Sequence, residues 1–225
     1  MRVAVLVSGG KDSVLALHHI LNKGYEVKCL VSMIPLRADS WMFHYPNIRL
    51  TDMLAKAVGI PLIKAETSGV KEKEVQDLKR LINKLDVEGV VSGAIASSYQ
   101  KTRIDTVCRQ LELKSVTPLW HEDPLDILKE ILELNFEVVI TGVYANGFDR
   151  QWLGKKIDED AVDALVRLNK KYQTSIVGEG GEYETLVLDA PFFKKRIKIL
   201  ESETIWENQG GYLSITRAKL EDKPQ

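Results

Sequence analysis

Val3 to Val7 is an unbroken apolar run that passes directly into Ser8, Gly9, Gly10, Lys11, Asp12 and Ser13, and this junction constrains the fold more than any other stretch. A short apolar run ending in glycines reads as a strand buried on both faces, the environment of a parallel sheet. After it, Val14, Leu15, Leu17, Ile20 and Leu21 recur at helical spacing, and Gly24 stands where a left-handed cap stops a helix. The alternation continues, with strands predicted over 27–34, 61–65, 90–95 and 116–119 and helices over 48–58, 70–85 and 99–111. Strands alternating with helices predict an α/β fold around a parallel, layered sheet.

Asp123 followed by Pro124 pairs an N-cap candidate with proline at the first helical position, and marks the expected domain boundary. Residues 1–122 would form the first domain and 123–225 a smaller α/β domain. The second is predicted to hold helices over 125–135 and 161–172, a strand over 137–143, and strands around Leu186, Ile197 and Leu213.

Charge and cysteine usage exclude several classes of function. With 31 Lys plus Arg against 32 Asp plus Glu, the net charge of -1 lacks the basic surplus of a nonspecific nucleic-acid binder. Cys29 and Cys108 lie far apart inside apolar-periodic segments, so they read as two reduced, buried thiols rather than a disulfide or zinc site. The apolar run from Met1 to Val7 is too short for a signal core or a membrane span. A cytoplasmic protein without membrane association is expected, and a homo-oligomer stays open.

The loop from Ser8 to Ser13 is an anion site by position. At the carboxyl end of a parallel strand, the next helix presents unpaired N–H groups and the positive end of its dipole. Gly9 and Gly10 let the backbone approach phosphate oxygens. Ser8 and Ser13 add hydroxyl donors and Lys11 a charge. Asp12 would be repelled by phosphate unless a cation lies between them, and magnesium would supply that cation. A Walker A loop fails on spacing around Lys11 and Lys155, and no dinucleotide fingerprint follows the first strand.

Two later strings carry more polar chemistry than packing requires. Gly93, Ala94 and Ile95, then Ser97 to Arg103, start at the carboxyl end of the fourth predicted strand, where ligands of open α/β sheets bind. Gly93 would approach a planar base, with Tyr99, Gln100 and Arg103 presenting polar ends to the same crevice. The bland alternative is a helix start with a solvated face. Gly178, Glu179, Gly180, Gly181, Glu182, Tyr183, Glu184 and Thr185 gather three carboxylates on a glycine loop, which favours a bound cation. Its bland alternative is an exposed acidic hairpin.

The string Ser8 to Ser13 resembles the pyrophosphate loop of the N-type ATP pyrophosphatases, the PP-loop superfamily, which split ATP between the α and β phosphates to adenylate a substrate. That superfamily implies an adenine nucleotide alpha hydrolase-like fold of the HUP type, which is Rossmann-like. Together with Met42, Phe43 and His44, with Gly93 to Arg103, with Pro118, Leu119 and Trp120, and with Gly178 to Phe193, the chain resembles the diphthine–ammonia ligase family from Met1 to about Leu200. These enzymes complete diphthamide on translation elongation factor 2. Single-domain members are about this long, and with no N-terminal cysteine or glutamine-hydrolysing module in view the resemblance implies free ammonium as nitrogen source.

The resemblance implies that ATP transfers AMP to the diphthine carboxylate and that ammonia then displaces AMP. Ser8, Gly9, Gly10, Lys11, Asp12 and Ser13 would hold the leaving pyrophosphate, with magnesium at Asp12. Arg103 would contact the α phosphate or the substrate carboxylate. Backbone around Ser32, Met33, Gly93 and Ala94 would meet adenine. His44, Tyr99, Gln100, Gly180, Gly181 and Thr185 would face substrate. Glu179, Glu182 and Glu184 would suit the trimethylammonium group or deprotonate ammonium, and Tyr183 would stack on that cation. A thiolating tRNA-modifying enzyme of the same superfamily and a non-catalytic ATP-binding regulatory module are the rival readings. The first needs reactive cysteines, and the second would release no pyrophosphate.

Overall fold

The computed structural model describes residues 1–35, 47–68 and 71–223, which fall into two compact units, Met1–Trp120 and His121–Gln225. In the first unit the parallel strands β1 (Arg2–Leu6), β2 (Glu26–Pro35), β3 (Leu62–Thr67), β4 (Gly89–Val91) and β5 (Lys114–Val116) order as β3-β2-β1-β4-β5. Val3, Ala4 and Val5 at the centre are 0% exposed, which is why β1 reads as an unbroken apolar run. The helices α1 (Lys11–Asn22), α2 (Thr51–Val58), α3 (Lys71–Ile82) and α4 (Ser98–Gln110) connect the strands. Leu78 and Ile82 of α3 and Ile104, Val107 and Cys108 of α4 share one core with Ala4, Val31 and Val90.

This strand order has a functional consequence. The chain winds outward from β1 to β3, then returns to place β4 on the other side of β1, so the winding reverses beside β1. Connections leave in opposite directions at such a point, and a crevice opens outside the carboxyl ends of the strands. The Ser8–Ser13 loop and the segment after β4 both begin there.

Three elements differ from the sequence reading. The apolar pattern over 48–58 splits into a 3-10 turn, Asn47–Leu50, and α2, with the Thr51 hydroxyl donating to the Ile48 carbonyl at 2.7 Å. The fourth strand is only three residues long; the Ser92 N–H adds one more bond, to the Val116 carbonyl at 3.0 Å, before the chain bends at 95–96. The fifth lies at 114–116 rather than 116–119. Leu119 is 0% exposed but sits in a turn, so its burial mimicked a strand pattern.

The second unit holds α5 (Pro124–Glu133), β6 (Glu137–Val143), α6 (Glu159–Tyr172), β7 (Tyr183–Asp189), β8 (Arg196–Glu207) and β9 (Gly210–Glu221). Its sheet orders β7-β6-β9-β8 and its ladders are antiparallel. Asp123 caps α5, its carboxylate accepting from the N–H groups of Leu125 and Asp126 at 2.8 and 3.2 Å. β8 and β9 form a long hairpin turning at Asn208 and Gln209, with Asn208 left-handed at φ 54°. No helix among the described residues is long and apolar enough to cross a membrane.

Candidate active site

Helix α1, like α2, starts without a side-chain cap, whereas α4, α5 and α6 each have one. Ser97, Asp123 and Asp158 place side-chain oxygens on the first-turn N–H groups of α4, α5 and α6. At α1 the N-cap is Gly10, and no side chain caps the first turn. Donors and helix dipole are therefore directed at whatever anion occupies the mouth of the loop. Gly9 turns the chain there at φ 90°, a conformation that strains any residue with a β-carbon.

The loop's own hydroxyls hold its shape. The Ser13 hydroxyl donates to the Gly10 carbonyl at 2.9 Å and accepts from the Ser8 N–H at 3.3 Å, while the Ser8 hydroxyl accepts from the Gly10 N–H at 3.3 Å. Lys11, expected to face phosphate, is 2% exposed, and its Nζ donates to Asp12 Oδ2 at 2.9 Å. The buried ammonium thus comes with a carboxylate whose side chain is 28% exposed.

Two buried hydroxyls flank the loop. Ser32 on β2 is 1% exposed and Ser92 just after β4 is 4% exposed, and neither Oγ has a hydrogen-bond partner among the described residues. An unsatisfied buried hydroxyl costs about 1–3 kcal/mol, so two of them, on β2 and just after β4, fit a polar ligand. The ladder of β2 with β1 ends at Val31, whereas its ladder with β3 runs to Pro35. No strand among the described residues therefore covers the inner edge of β2 beyond Val31. The Met33 side chain is 2% exposed and belongs to the core, which leaves only its backbone for a ligand.

Gly93 has a tighter task than the one read from sequence. A β-carbon at this position would lie 2.6 Å from the Asp12 carbonyl oxygen and 2.8 Å from the Ser13 nitrogen. Its missing side chain makes room for the Ser8–Ser13 loop itself, and Ala94 beside it is 5% exposed. In α4 the Arg103 guanidinium lies 3.6 Å from the centre of the Tyr99 ring and donates to the Tyr99 carbonyl at 3.3 Å. The stack fixes the plane of the guanidinium fork on one helical turn. Gln100 donates its backbone N–H to the Ser97 hydroxyl at 3.4 Å.

In the second unit, the glycine and glutamate string is an ordered loop leading into β7. Glu182 Oε1 accepts from the Ser175 N–H at 2.9 Å, and its carboxylate lies over Gly180, where a β-carbon would come within 2.8 Å. Its Oε1 shapes the loop, while Oε2 is buried with no hydrogen-bond partner among the described residues. Tyr183 departs from its expected exposure to a substrate cation. It is 3% exposed, packs against Phe148 at 5.8 Å between ring centres and donates its hydroxyl to the Ile176 carbonyl at 2.7 Å. A core tyrosine held this way cannot stack on a substrate cation. Glu179, Glu184 and Thr185 are partly exposed, Gly181 turns the loop at φ 83°, and Gly180 is open to solvent.

Both cysteines are buried and free, and burial pushes the Cys108 thiol up to about 11 and raises that of Cys29. Thiols in that state are poor nucleophiles. Met42, Phe43 and His44 lie outside the described residues.

Residues 1–115 match the family described as diphthamide synthase N-terminal domain, and residues 123–220 match the diphthamide synthase C-terminal domain. The chain belongs to the diphthamide synthase family. It is 35% identical to a diphthine–ammonia ligase of Bos taurus over 99% of this chain and 94% of that protein. The Homo sapiens enzyme of the same name is 34% identical over the same shares. The Schizosaccharomyces pombe enzyme is 36% identical over 100% of this chain, which spans 40% of that longer relative. A solved chain from Methanocaldococcus jannaschii, described as a predicted subunit of tRNA methyltransferase, superposes with a TM-score of 0.47 at 15% identity, covering 85% of this chain and 98% of its own.

The sequence reading missed Ser92, Tyr144 and Tyr212 as residues with chemistry to offer. Ser92 was in reach, since a hydroxyl directly before Gly93 ends a strand next to the expected crevice. The two tyrosines carried no local signal, because only strand pairing brings them together.

Proposed function

We propose that this diphthamide synthase family member catalyses the ATP-dependent, AMP-forming amidation of the diphthine carboxylate on translation elongation factor 2, with ammonium as nitrogen donor. The observation that carries the reading is the uncapped start of α1 behind Gly9 and Gly10, at the point where the strand order reverses. The curated relatives named for this ligation support it along the whole chain.

A carboxylate is a poor electrophile, and transfer of AMP from ATP makes it a good one. The first-turn N–H groups of α1 and the Lys11 ammonium would draw off the charge that builds on the departing pyrophosphate, a gain realised mainly in the transition state. Ser32 and Ser92 offer hydroxyls to the nucleotide, and Arg103 offers a planar fork to the α phosphate or the carboxylate. Ammonia then attacks the acyl carbon and expels AMP, and the nitrogen's surplus protons pass to a base. We assign that task to Glu184, partly exposed on β7; Glu182 Oε1 is held by the Ser175 N–H and its Oε2 is buried.

Among the described residues, no three His, Cys, Asp or Glu side chains cluster as a metal centre. A single carboxylate at the loop fits a magnesium ion that arrives with the triphosphate, which needs one or two protein oxygens besides phosphate. When bound there, at Asp12, the ion would neutralise phosphate charge.

The deciding assay incubates the chain with ATP, ammonium and elongation factor carrying diphthine. The expected result is an acid-to-amide mass change on the factor, with one AMP and one pyrophosphate released per amide. Nucleotide binding without pyrophosphate release would instead identify a regulatory module.

A further inference from the structure

Gly142 on β6 is paired in register with Glu184 on β7 and with Tyr212 on β9. Directly opposed residues project from the same face of a sheet. One row therefore presents a carboxylate, a position with no side chain and a phenol. Tyr144 covers the bare position: a β-carbon at 142 would lie 2.9 Å from its hydroxyl oxygen and 3.0 Å from its ring.

With its hydroxyl end lying over Gly142, Tyr144 is still 45% exposed. It lines a cleft of about 370 Å³ together with Tyr212, Ile205, Glu207 and the turn from Asn208 to Gly211. That volume falls in the range of small-molecule sites, roughly 300–1,000 Å³. Partial burial, with Glu184 and Tyr212 nearby, holds the Tyr144 phenol above its ordinary value, so the ring is neutral at neutral pH.

The lining is selective in its chemistry. Tyr144, Tyr212 and Glu207 line it, Glu184 stands in the same row as Tyr212, and no lysine or arginine is among its described lining residues. Ring faces attract cations through their quadrupole, and carboxylates add charge attraction. A quaternary ammonium has no N–H to donate, so ring faces and charge are the interactions open to it.

We infer that the Tyr144–Tyr212 cleft binds a quaternary ammonium group, the trimethylammonium of the diphthine side chain. The choice of that ligand rests on the proposed amidation. The cleft takes over the role that the sequence reading gave to Tyr183.

The test titrates the intact chain with choline and with 3,3-dimethylbutan-1-ol, its uncharged isostere, by calorimetry and by NMR of the tyrosine rings. Choline is expected to bind and to perturb Tyr144 and Tyr212, and the isostere is not. Tyr144→Leu and Tyr212→Leu should each weaken choline binding about tenfold, while the Phe variants keep it. Glu184→Gln and Glu207→Gln, which leave the aromatic packing untouched, should weaken it severalfold. Equal binding of choline and isostere, or no choline binding, overturns the site.

In the amidation assay the two Leu variants should raise KM for the modified factor about tenfold while the KM for ATP holds. An unmoved KM for the factor, in a chain that does form the amide, also overturns the site. Absence of amidation by the wild type refutes the proposed reaction, and the choline titration still decides the cleft by itself.

Discussion

Gly93 lies against the peptide of Asp12 so closely that a β-carbon on it would reach within 2.6 Å of the Asp12 carbonyl oxygen. The segment after β4 and the Ser8–Ser13 loop after β1 are thus packed backbone to backbone, and the shape of the loop depends on a residue distant in sequence. Gly93→Ala must push the loop or distort β4, at a cost of about 1–3 kcal/mol. We expect a KM for ATP at least tenfold higher, read by AMP formation at varied ATP, with a lower melting temperature. Unchanged ATP kinetics in a folded variant would show that the contact does not set the loop.

The Lys11–Asp12 pair separates chemistry from folding. Asp12→Ala would strip a buried ammonium of its carboxylate, so Asp12→Asn is the cleaner variant, because its amide oxygen still accepts from Lys11. AMP formation should fall about a hundredfold or more with little change in stability. Lys11→Met should lose about 1 kcal/mol of stability as well as activity, since it breaks the 2.9 Å contact. Full activity of Asp12→Asn would remove the metal-binding role proposed for this carboxylate.

The Cys108 thiol sets an alkaline limit. Its folded-state value of about 11 lies above the unfolded value of about 8.5, so the native state keeps the proton longer. The associated stability is complete below the unfolded value and is lost as pH rises towards the folded one. In urea titrations between neutral and alkaline pH, the wild type should lose stability relative to Cys108→Ala as pH rises. In the native state neither cysteine should be alkylated by iodoacetamide at neutral pH, and intact-mass analysis checks this. Rapid alkylation would restore the thiolating reading.

Glu182 and Glu184 should part company. Glu182→Ala removes the acceptor of the Ser175 N–H and should cost about 1 kcal/mol of stability, while Glu182→Gln, which retains a carbonyl oxygen, should cost much less. Glu184→Gln should leave the melting temperature near that of the wild type and impair modification of the factor. If Glu182→Gln abolished amidation without loosening the loop, Glu182 would return to the chemistry.

How much of this was legible in the sequence depended on range. β1, α1 and the loop between them were readable because burial on both faces, helical spacing and the Gly-Gly turn are local properties, written in neighbouring residues. The same holds for β6 over 137–143 and for the cap at Asp123. Leu119 misled because burial looks alike in a strand and in a buried turn. Tyr183 read as a site residue beside its glutamates, and only packing against Phe148 and the Ile176 carbonyl made it core. Pairing across strands decided the rest: Gly93 meets Asp12, and Glu184 and Tyr212 share a row with Gly142. Such neighbours are chosen by strand order and register, properties of the assembled sheet that no window of adjacent residues contains.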